Sequence, residues 1–145
     1  GRMVSPLLSR AYLVGLIVST AIGGCQPAFA APRQGTASWY SYESARREGN
    51  SGVMANGEKM QDTAFTVASY DYALGRTIRV CLSRRPTVGT GDGRARPCVE
   101  AVVTDRGPAR RLYRRGRILD LSKASFQALA PLSQGVIPIT VEELP

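Results

Sequence analysis

The chain has 145 residues, with 19 lysines and arginines against 11 acidic residues, a net charge of +8, and no histidine. The length argues for one domain. The missing histidine excludes Ser-His and Cys-His nucleophilic systems in their usual form, as well as zinc sites built on histidine. Carboxylates are therefore the obvious candidates for acid and base chemistry, and we expect a site with neither a metal nor a cofactor.

The first thirty residues have the layout of an export signal. Two arginines, Arg2 and Arg10, precede an apolar run, Ala11 to Gly24. This run is too short for a comfortable transmembrane span and is typical of a secretory signal. A buried core helix is the alternative, but the small residues and Pro27 that follow the run favour export. We expect the protein in the periplasm or cell envelope.

The sequence is compatible with two alternative sites at which the signal would be removed. Small residues fit cleavage after Ala30, whereas the segment Ile22 to Cys25, IGGC, looks like a bacterial lipobox. In that case Cys25 would be lipidated, become the new N-terminus and anchor the protein to a membrane. We predict that residues 1–30 are a signal peptide or lipoprotein signal, residues 31–34 a short linker, and residues 35–143 the folded domain.

Either processing site leaves two cysteines, Cys81 and Cys98, in the folded domain. An even number of cysteines in an exported protein indicates a disulfide. Cys81 ends one strand-like run and Cys98 begins the next, so the bond would tie two strands across their connecting loop. Two unrelated buried thiols are the alternative.

The rest of the chain consists of short β-like runs separated by turn signals. The polar segment 83–97 predicts a long hairpin loop, and Ser122 can cap a helix over residues 122–130. Pro138 indicates an edge position or an irregular strand. The runs are GTASWYS, AFTVASY, RTIRVCL, CVEAVVT, GRILDL and GVIPITVE. Six short strands with one brief helix predict a mainly β fold, a small closed barrel.

The charge of the domain favours an anionic partner. From Ala31 onward, 17 basic residues face 11 acidic ones, a net charge of about +6, which suits nucleic acid, anionic lipid or a bacterial wall. Export and the lack of aromatic-interleaved RNA-binding motifs argue against nucleic acid. The cluster of Arg110, Arg111, Arg114 and Arg115 is interpreted as a solvated loop that helps the protein stay on the wall.

The order of the motifs resembles a known family. GTASWYS, ANGEKMQDTAFTVAS, RVCL, VVTDRGP, GRILDLSKASFQALA and GVIPITVE together look like the rare lipoprotein A family, whose double-psi β-barrel domains are related to expansins and to some lytic transglycosylases. The resemblance runs from about Gly35 to Glu142. It implies a six-stranded double-psi β-barrel with one or two short helices. It also implies an exported lytic transglycosylase that cuts the MurNAc–GlcNAc linkage of peptidoglycan to 1,6-anhydro products and prefers peptide-free strands.

The resemblance also implies site residues. Glu58 of A-N-G-E and Asp105 of D-R-G-P would be catalytic, with Asp105 as general acid/base, while Asp120 of D-L-S would orient them or hold the barrel together. The supporting or substrate-binding candidates are Ser69, Trp39, Tyr40, Asn56 and Arg106, with the two aromatic rings stacking on sugars. Structural alternatives are a solvated turn charge for Glu58, a turn-former for Asp105 and a core position for Trp39.

One position departs from the family pattern. Ser69 stands where active members carry histidine, and a hydroxyl cannot hold a positive charge near neutral pH. The alternative function is therefore a non-catalytic, expansin-like module that binds peptidoglycan or another polysaccharide; an interaction or inhibitor module on the same barrel has no positive support. In the first two cases we expect a monomer whose partner is a glycan strand.

Overall fold

The computed structural model describes residues 30–83 and 96–145. Six strands close into one barrel, in the order β1-β5-β2-β4-β3-β6 around its circumference. The strands are β1 (Arg33–Tyr40), β2 (Thr66–Ser69), β3 (Thr77–Leu82), β4 (Cys98–Asp105), β5 (Arg117–Ser122) and β6 (Ile137–Glu143). The helices are α1 (Tyr42–Arg47), α2 (Arg110–Tyr113) and α3 (Lys123–Gln127), followed by a 3₁₀ turn at Leu132–Gln134. The predicted six-stranded β-barrel is confirmed.

The strand order brings distant parts of the chain together. β1 pairs with β5 and β2 with β4 in parallel, while the other four pairs are antiparallel. Parallel neighbours cannot be joined by a tight hairpin, so each such pair joins strands that are separated in sequence. Ser38 of β1 and Asp120 of β5, for example, are 82 positions apart and in hydrogen-bond contact.

Alternation of side chains along the strands fills the barrel interior with aliphatic residues. In β4, Val99, Ala101 and Val103 are buried, whereas the residues between them are exposed. Fully inaccessible side chains in the core include Val67, Ile78, Val80, Val103, Leu119, Leu121, Ile139 and Val141. A small barrel packed in this way leaves no space for a ligand inside, so a binding site has to lie on its outer surface.

The structure contains three short α-helices rather than one or two. Ser122 caps α3 as predicted, because its hydroxyl accepts a hydrogen bond from the N–H of Ser125 at 3.2 Å, although α3 ends at Gln127. Ser41 begins α1 through a capping box with Ser44. Neither α1 nor α2 was predicted, since both are short and largely polar and therefore lack an apolar stripe.

The predicted edge position of Pro138 is wrong, because the barrel is closed and β6 pairs with both β1 and β3. Pro138 lies opposite Thr36. The register of β1 against β5 shifts between Thr36 and Ala37, and prolines within sheets are tolerated at such irregularities. The irregularity that the proline indicated therefore lies in the neighbouring strand.

The barrel begins slightly before the predicted boundary. Arg33 and Gln34, assigned to the linker, belong to β1 and lie opposite Val141 and Thr140. The predicted signal segment up to residue 29, with Cys25, and most of the predicted 83–97 loop lie outside the described residues. Within the described ranges, no helix is long and apolar enough to cross a membrane.

Cys81 and Cys98 form a disulfide, which confirms the predicted pairing. The two residues face each other in the register of β3 and β4. The bond therefore joins two strands that are already hydrogen-bonded neighbours, and it closes a chain segment with a sequence separation of 17.

Replacing Cys81 and Cys98 by alanine together is expected to lower the free energy of unfolding by about 3 kcal/mol, because the unfolded chain regains the entropy of a loop of this size. Urea unfolding followed by circular dichroism measures the change. Reduction of the unmodified protein should produce a similar loss. Equal stability of the oxidised protein and the double variant would contradict the prediction.

Candidate functional site

Four neighbouring strands place a row of residues side by side on the outer face of the barrel. The register pairs Ser38 with Asp120, Asp120 with Ala68, and Ala68 with Asp105. Residues directly opposite each other on adjacent strands point to the same face of a sheet. Asp120 and Asp105 therefore share one surface, two strand spacings apart, or about 10 Å between Cα atoms.

A β-bulge turns Asp105 onto this surface. Val67 pairs with Val103, but the next residue of β2, Ala68, pairs with Asp105, so Thr104 is an extra residue in β4. Without the bulge, Thr104 would lie opposite Ala68, and Asp105 would point toward the aliphatic interior. The bulge thus decides on which side of the barrel wall this carboxylate lies.

A groove of about 620 Å³ lies over the row, which forms its floor. One wall, from α1 and the turn that follows it, includes Glu48 and Asn50. The basic wall consists of Arg106 and Arg111, from the segment between β4 and β5, and of Arg117 at the start of β5. The groove therefore has an acidic floor and one strongly basic wall. Among residues 30–83 and 96–145, no group of three or more acidic or cysteine side chains could hold a metal ion.

Asp105 is held in place by main-chain donors. Its Oδ1 accepts hydrogen bonds from the N–H groups of Ala55 at 3.0 Å and Arg106 at 2.8 Å. The first of these donors belongs to the loop between α1 and β2, which therefore rests on the end of β4. Both donors fix the orientation of the carboxylate toward the groove that it lines.

Asp120 lies in a different environment. Burial raises the pKa of its carboxyl group to about 6. A hydrogen bond from the Ser38 hydroxyl at 2.9 Å and the positive charge of Arg117 lower the pKa, while the negative charges of Glu48 and Asp105 raise it. Since burial outweighs the stabilising contacts, Asp120 keeps a proton at a pH at which ordinary aspartates have lost theirs.

Glu58 and Asn56 lie on the loop between α1 and β2, and both are exposed. The Asn56 amide donates a hydrogen bond to the Glu58 carboxylate at 3.0 Å, and the Glu58 N–H donates to the Asn56 side-chain oxygen at 3.0 Å. Neither residue lines the groove. Ala55 of the same loop binds Asp105, so the structure brings this loop to the site without bringing the Glu58 carboxylate onto the groove floor.

Ser69 is fully buried, and its side chain faces away from the groove. Its hydroxyl accepts a hydrogen bond from the N–H of Asp71 at 3.0 Å. Its carbonyl accepts one from the Arg106 guanidinium at 2.8 Å, and the Tyr72 carbonyl accepts another at 2.6 Å. Ser69 therefore reaches the groove only through its main chain, which holds Arg106 at the rim.

Trp39 lines the groove and also belongs to the barrel core. Its ring packs against the main apolar cluster, and its indole N–H donates a hydrogen bond to the carbonyl of Leu132 at 3.0 Å. Trp39 is therefore partly buried, in contact with both the core and the groove. Its stacking on a sugar stays a prediction.

Tyr40 lies at the groove beneath α1, packed against a second, smaller apolar cluster. Its buried hydroxyl lies near Thr66 and Thr104 but forms no hydrogen bond of acceptable geometry with a described residue. Burial raises the pKa of Tyr40 to about 12, and the negative charges of Asp105 and Asp120 add to the effect. The hydroxyl therefore stays protonated beside the two carboxylates.

Several groove residues were not predicted as site residues from the sequence, among them Ser38, Glu48, Arg111 and Arg117. Ser38 could have been found, because it lies two positions before Tyr40 and thus on the same face of β1. Glu48 and Arg111 gave no such signal, since each belongs to or follows a helix that has no apolar periodicity.

The comparisons with known proteins agree with this fold. A family model described as lytic transglycolase, a double-psi β-barrel domain, matches residues 33–141. A protein of Nostoc sp. named "Probable endolytic peptidoglycan transglycosylase RlpA" is 33% identical over 112 residues, 77% of this chain and 25% of the relative. The chain thus spans a quarter of that relative's length.

Two solved structures share the fold. The Streptomyces papain inhibitor superposes with a TM-score of 0.52 at 22% identity, over 81% of this chain and 98% of the inhibitor. The expansin of Clavibacter michiganensis without ligand superposes with a TM-score of 0.51 at 21% identity, over 79% of this chain and 51% of the expansin. Since the family model covers the barrel from the start of β1 into β6, this chain belongs to the lytic transglycolase family of double-psi β-barrel domains.

Proposed function

We propose that this chain is an exported lytic transglycosylase that cleaves the MurNAc–GlcNAc linkage of peptidoglycan, leaves 1,6-anhydro ends and prefers peptide-free strands. The observation that carries the proposal is the pair of carboxylates on the groove floor, Asp105 and Asp120, in unlike surroundings. Membership of the family and the name of the Nostoc relative support the same reaction.

Cleavage of a glycosidic bond needs a proton on the leaving oxygen and stabilisation of an oxocarbenium-like transition state. In this proposal the proton comes from Asp120, whose pKa is raised to about 6. It passes to O4 of GlcNAc as the bond between that oxygen and C1 of MurNAc breaks. Asp105, oriented by two N–H groups, faces the positive charge that develops at C1.

The second half of the reaction uses no water. The C6 hydroxyl of the same MurNAc attacks C1, forms the 1,6-anhydro bond and gives its proton to Asp105. Both aspartates then exchange protons with solvent before the next turnover. The acid/base role assigned to Asp105 from the sequence is therefore divided between two residues, and Asp120 becomes the acid instead of a supporting residue.

Glu58 has a positioning role in this mechanism. Its mutual hydrogen bonds with Asn56 shape the loop whose Ala55 N–H holds Asp105. The carboxylate thus acts on the reaction through the loop, whereas the sequence motif alone suggested direct catalysis.

Export is proposed from the N-terminal sequence, with cleavage after Ala30 or lipidation at Cys25 as the two routes. The protein would then act as a monomer in the periplasm or cell envelope, with glycan strands as its partner. The basic wall of the groove and the net charge of about +6 from Ala31 onward fit a substrate that carries negative charge.

A non-catalytic, expansin-like module that binds peptidoglycan or another polysaccharide is the second candidate. Two observations favour it: the Ser69 hydroxyl, in the position of the family histidine, is buried away from the groove, and Glu58 does not line the groove. Such a module would occupy the same groove with glycan but leave it intact.

Asp120→Asn and Asp105→Asn are each expected to lower the formation of anhydro ends at least about a hundred-fold, because each removes a proton donor or acceptor from the reaction. Mass spectrometry of peptide-free glycan strands after incubation measures these products. Glu142→Gln, the same chemical change at an exposed carboxylate on β6, serves as the control. Strand binding without products from the unmodified protein would favour the binding module, and full activity of Asp120→Asn would contradict the role of Asp120.

The cleavage rate is expected to fall as pH rises through about 6, because Asp120 then loses the proton that it donates. The Ser38 hydrogen bond stabilises the ionised carboxylate and lowers its pKa. Ser38→Ala should therefore raise the pKa and move the falling limb to higher pH. Initial cleavage rates of both proteins, measured below and above pH 6, test the prediction. A pH–rate profile of Ser38→Ala that falls at the same pH as that of the unmodified protein would refute it.

Glu58→Ala is expected to lower the rate about ten-fold, the effect of losing one hydrogen bond to a charged group. Glu58→Gln should keep most of the activity, because glutamine can still accept a hydrogen bond from Asn56. The rates of both variants on peptide-free strands distinguish the two roles. Equally large losses would show that the Glu58 carboxylate itself takes part in the chemistry.

A further inference from the structure

The basic wall of the groove carries charge that the proposed bond cleavage does not use. Three arginines line it, Arg106, Arg111 and Arg117, whereas the proton transfers take place on carboxylates of the floor. Guanidinium groups beside a substrate groove bind anions more effectively than any other side chain, because they present several N–H donors in a planar fork.

One of the three guanidinium groups is engaged by hydrogen bonds within the protein. Arg106 donates hydrogen bonds to the carbonyls of Ser69 and Tyr72. Arg117 is half-buried; its charge lowers the pKa of Asp120, and its buried Nε has no hydrogen-bond partner among the described residues. Arg111 is exposed and has neither an ion pair nor a side-chain hydrogen bond with any residue in the described ranges. Of the three groove arginines, Arg111 is therefore the one that is both exposed and without a contact of this kind in the described ranges, so that its donors are open to a ligand from solvent.

The support for Arg111 is firmly attached despite its small size. α2 has only four residues and lacks a side-chain N-cap. The Tyr113 hydroxyl at its end donates a hydrogen bond to Asp71 at 2.5 Å, and the Arg110 guanidinium at its start stacks over the ring of Tyr70 at 4.2 Å. These contacts hold both ends of α2, so the main chain at Arg111 stays beside the groove.

The chemistry of the proposed substrate offers one anion close to the bond that breaks. MurNAc carries a lactyl group on O3, and its carboxylate is free only where no peptide is attached, because peptide linkage converts it to a neutral amide. The groove lining also includes Glu48, whose negative charge repels a carboxylate. The charges of the lining therefore favour a lactyl carboxylate beside an arginine.

We propose that Arg111 binds the free lactyl carboxylate of MurNAc, and that this contact both selects peptide-free strands and sets the direction in which a strand lies over the two aspartates. The identity of the ligand rests on the proposed function. The role is that of a specificity residue, separate from the proton transfers.

The test compares two substrates and four proteins. Peptide-free strands are used as isolated and after conversion of their lactyl carboxylates to methylamides, and both binding by calorimetry and anhydro-end formation are measured. The unmodified protein is expected to bind and cleave the free strands at least about ten-fold better. Arg111→Gln should reduce this preference to about two-fold, and Arg111→Lys, which keeps the charge but loses the fork, should fall between.

Arg114→Gln is the matched control, since Arg114 is exposed on the same segment but does not line the groove. This variant should keep the full preference for strands with free lactyl carboxylates. The inference would be overturned if the unmodified protein bound and cleaved both substrates equally well. It would also be overturned if Arg111→Gln kept the full preference for strands with free lactyl carboxylates. Preferential binding that depends on Arg111 without any anhydro product would leave the inference standing and remove the transglycosylase proposal instead.

Discussion

A single extra residue in a strand, Thr104, decides what chemistry the outer wall of this barrel can offer. Because of this bulge, β4 passes from Val103 in the interior to Asp105 on the groove floor. Thr104 is buried, and its hydroxyl has no hydrogen-bond partner among the described residues, which costs about 1–3 kcal/mol. A carboxylate turned into the aliphatic interior would cost far more, so the bulge is compatible with both stability and function.

The second carboxylate reaches the same floor by ordinary register, through Ala68 between β4 and β5. The two aspartates then differ because of what surrounds them. Asp105 binds main-chain N–H groups at the end of its strand, whereas the burial of Asp120 is only partly offset by Ser38 and Arg117. Pairs of acids whose surroundings separate their proton affinities are what general acid–base catalysis requires.

Much of the fold could be predicted from local patterns. Alternating β-branched runs predicted the six strands and cysteine parity predicted the disulfide, whereas Asp105 and Asp120 were found through the resemblance of the D-R-G-P and D-L-S motifs to a known family. The bulge could not be predicted, because Val-Val-Thr-Asp fits a continuous strand in either register. Arg111 looked like one member of a solvated cluster, since the four residues of α2 are too few to show a period. The placement of Glu58 depends on how its loop folds over the barrel, and that is fixed by contacts such as Ala55 to Asp105, 50 positions apart.

The proposed mechanism requires a carboxyl group on the groove floor that is still protonated well above the usual pH range of aspartate. NMR titration of the side-chain carboxyl carbons, with Asp120→Asn used to assign the resonance, measures this property directly and does not depend on any substrate. We expect a titration midpoint of about 6 for Asp120. A midpoint near the ordinary value of 3.8 would refute the role of Asp120 as the acid, because its carboxyl group would then have lost the proton near pH 6.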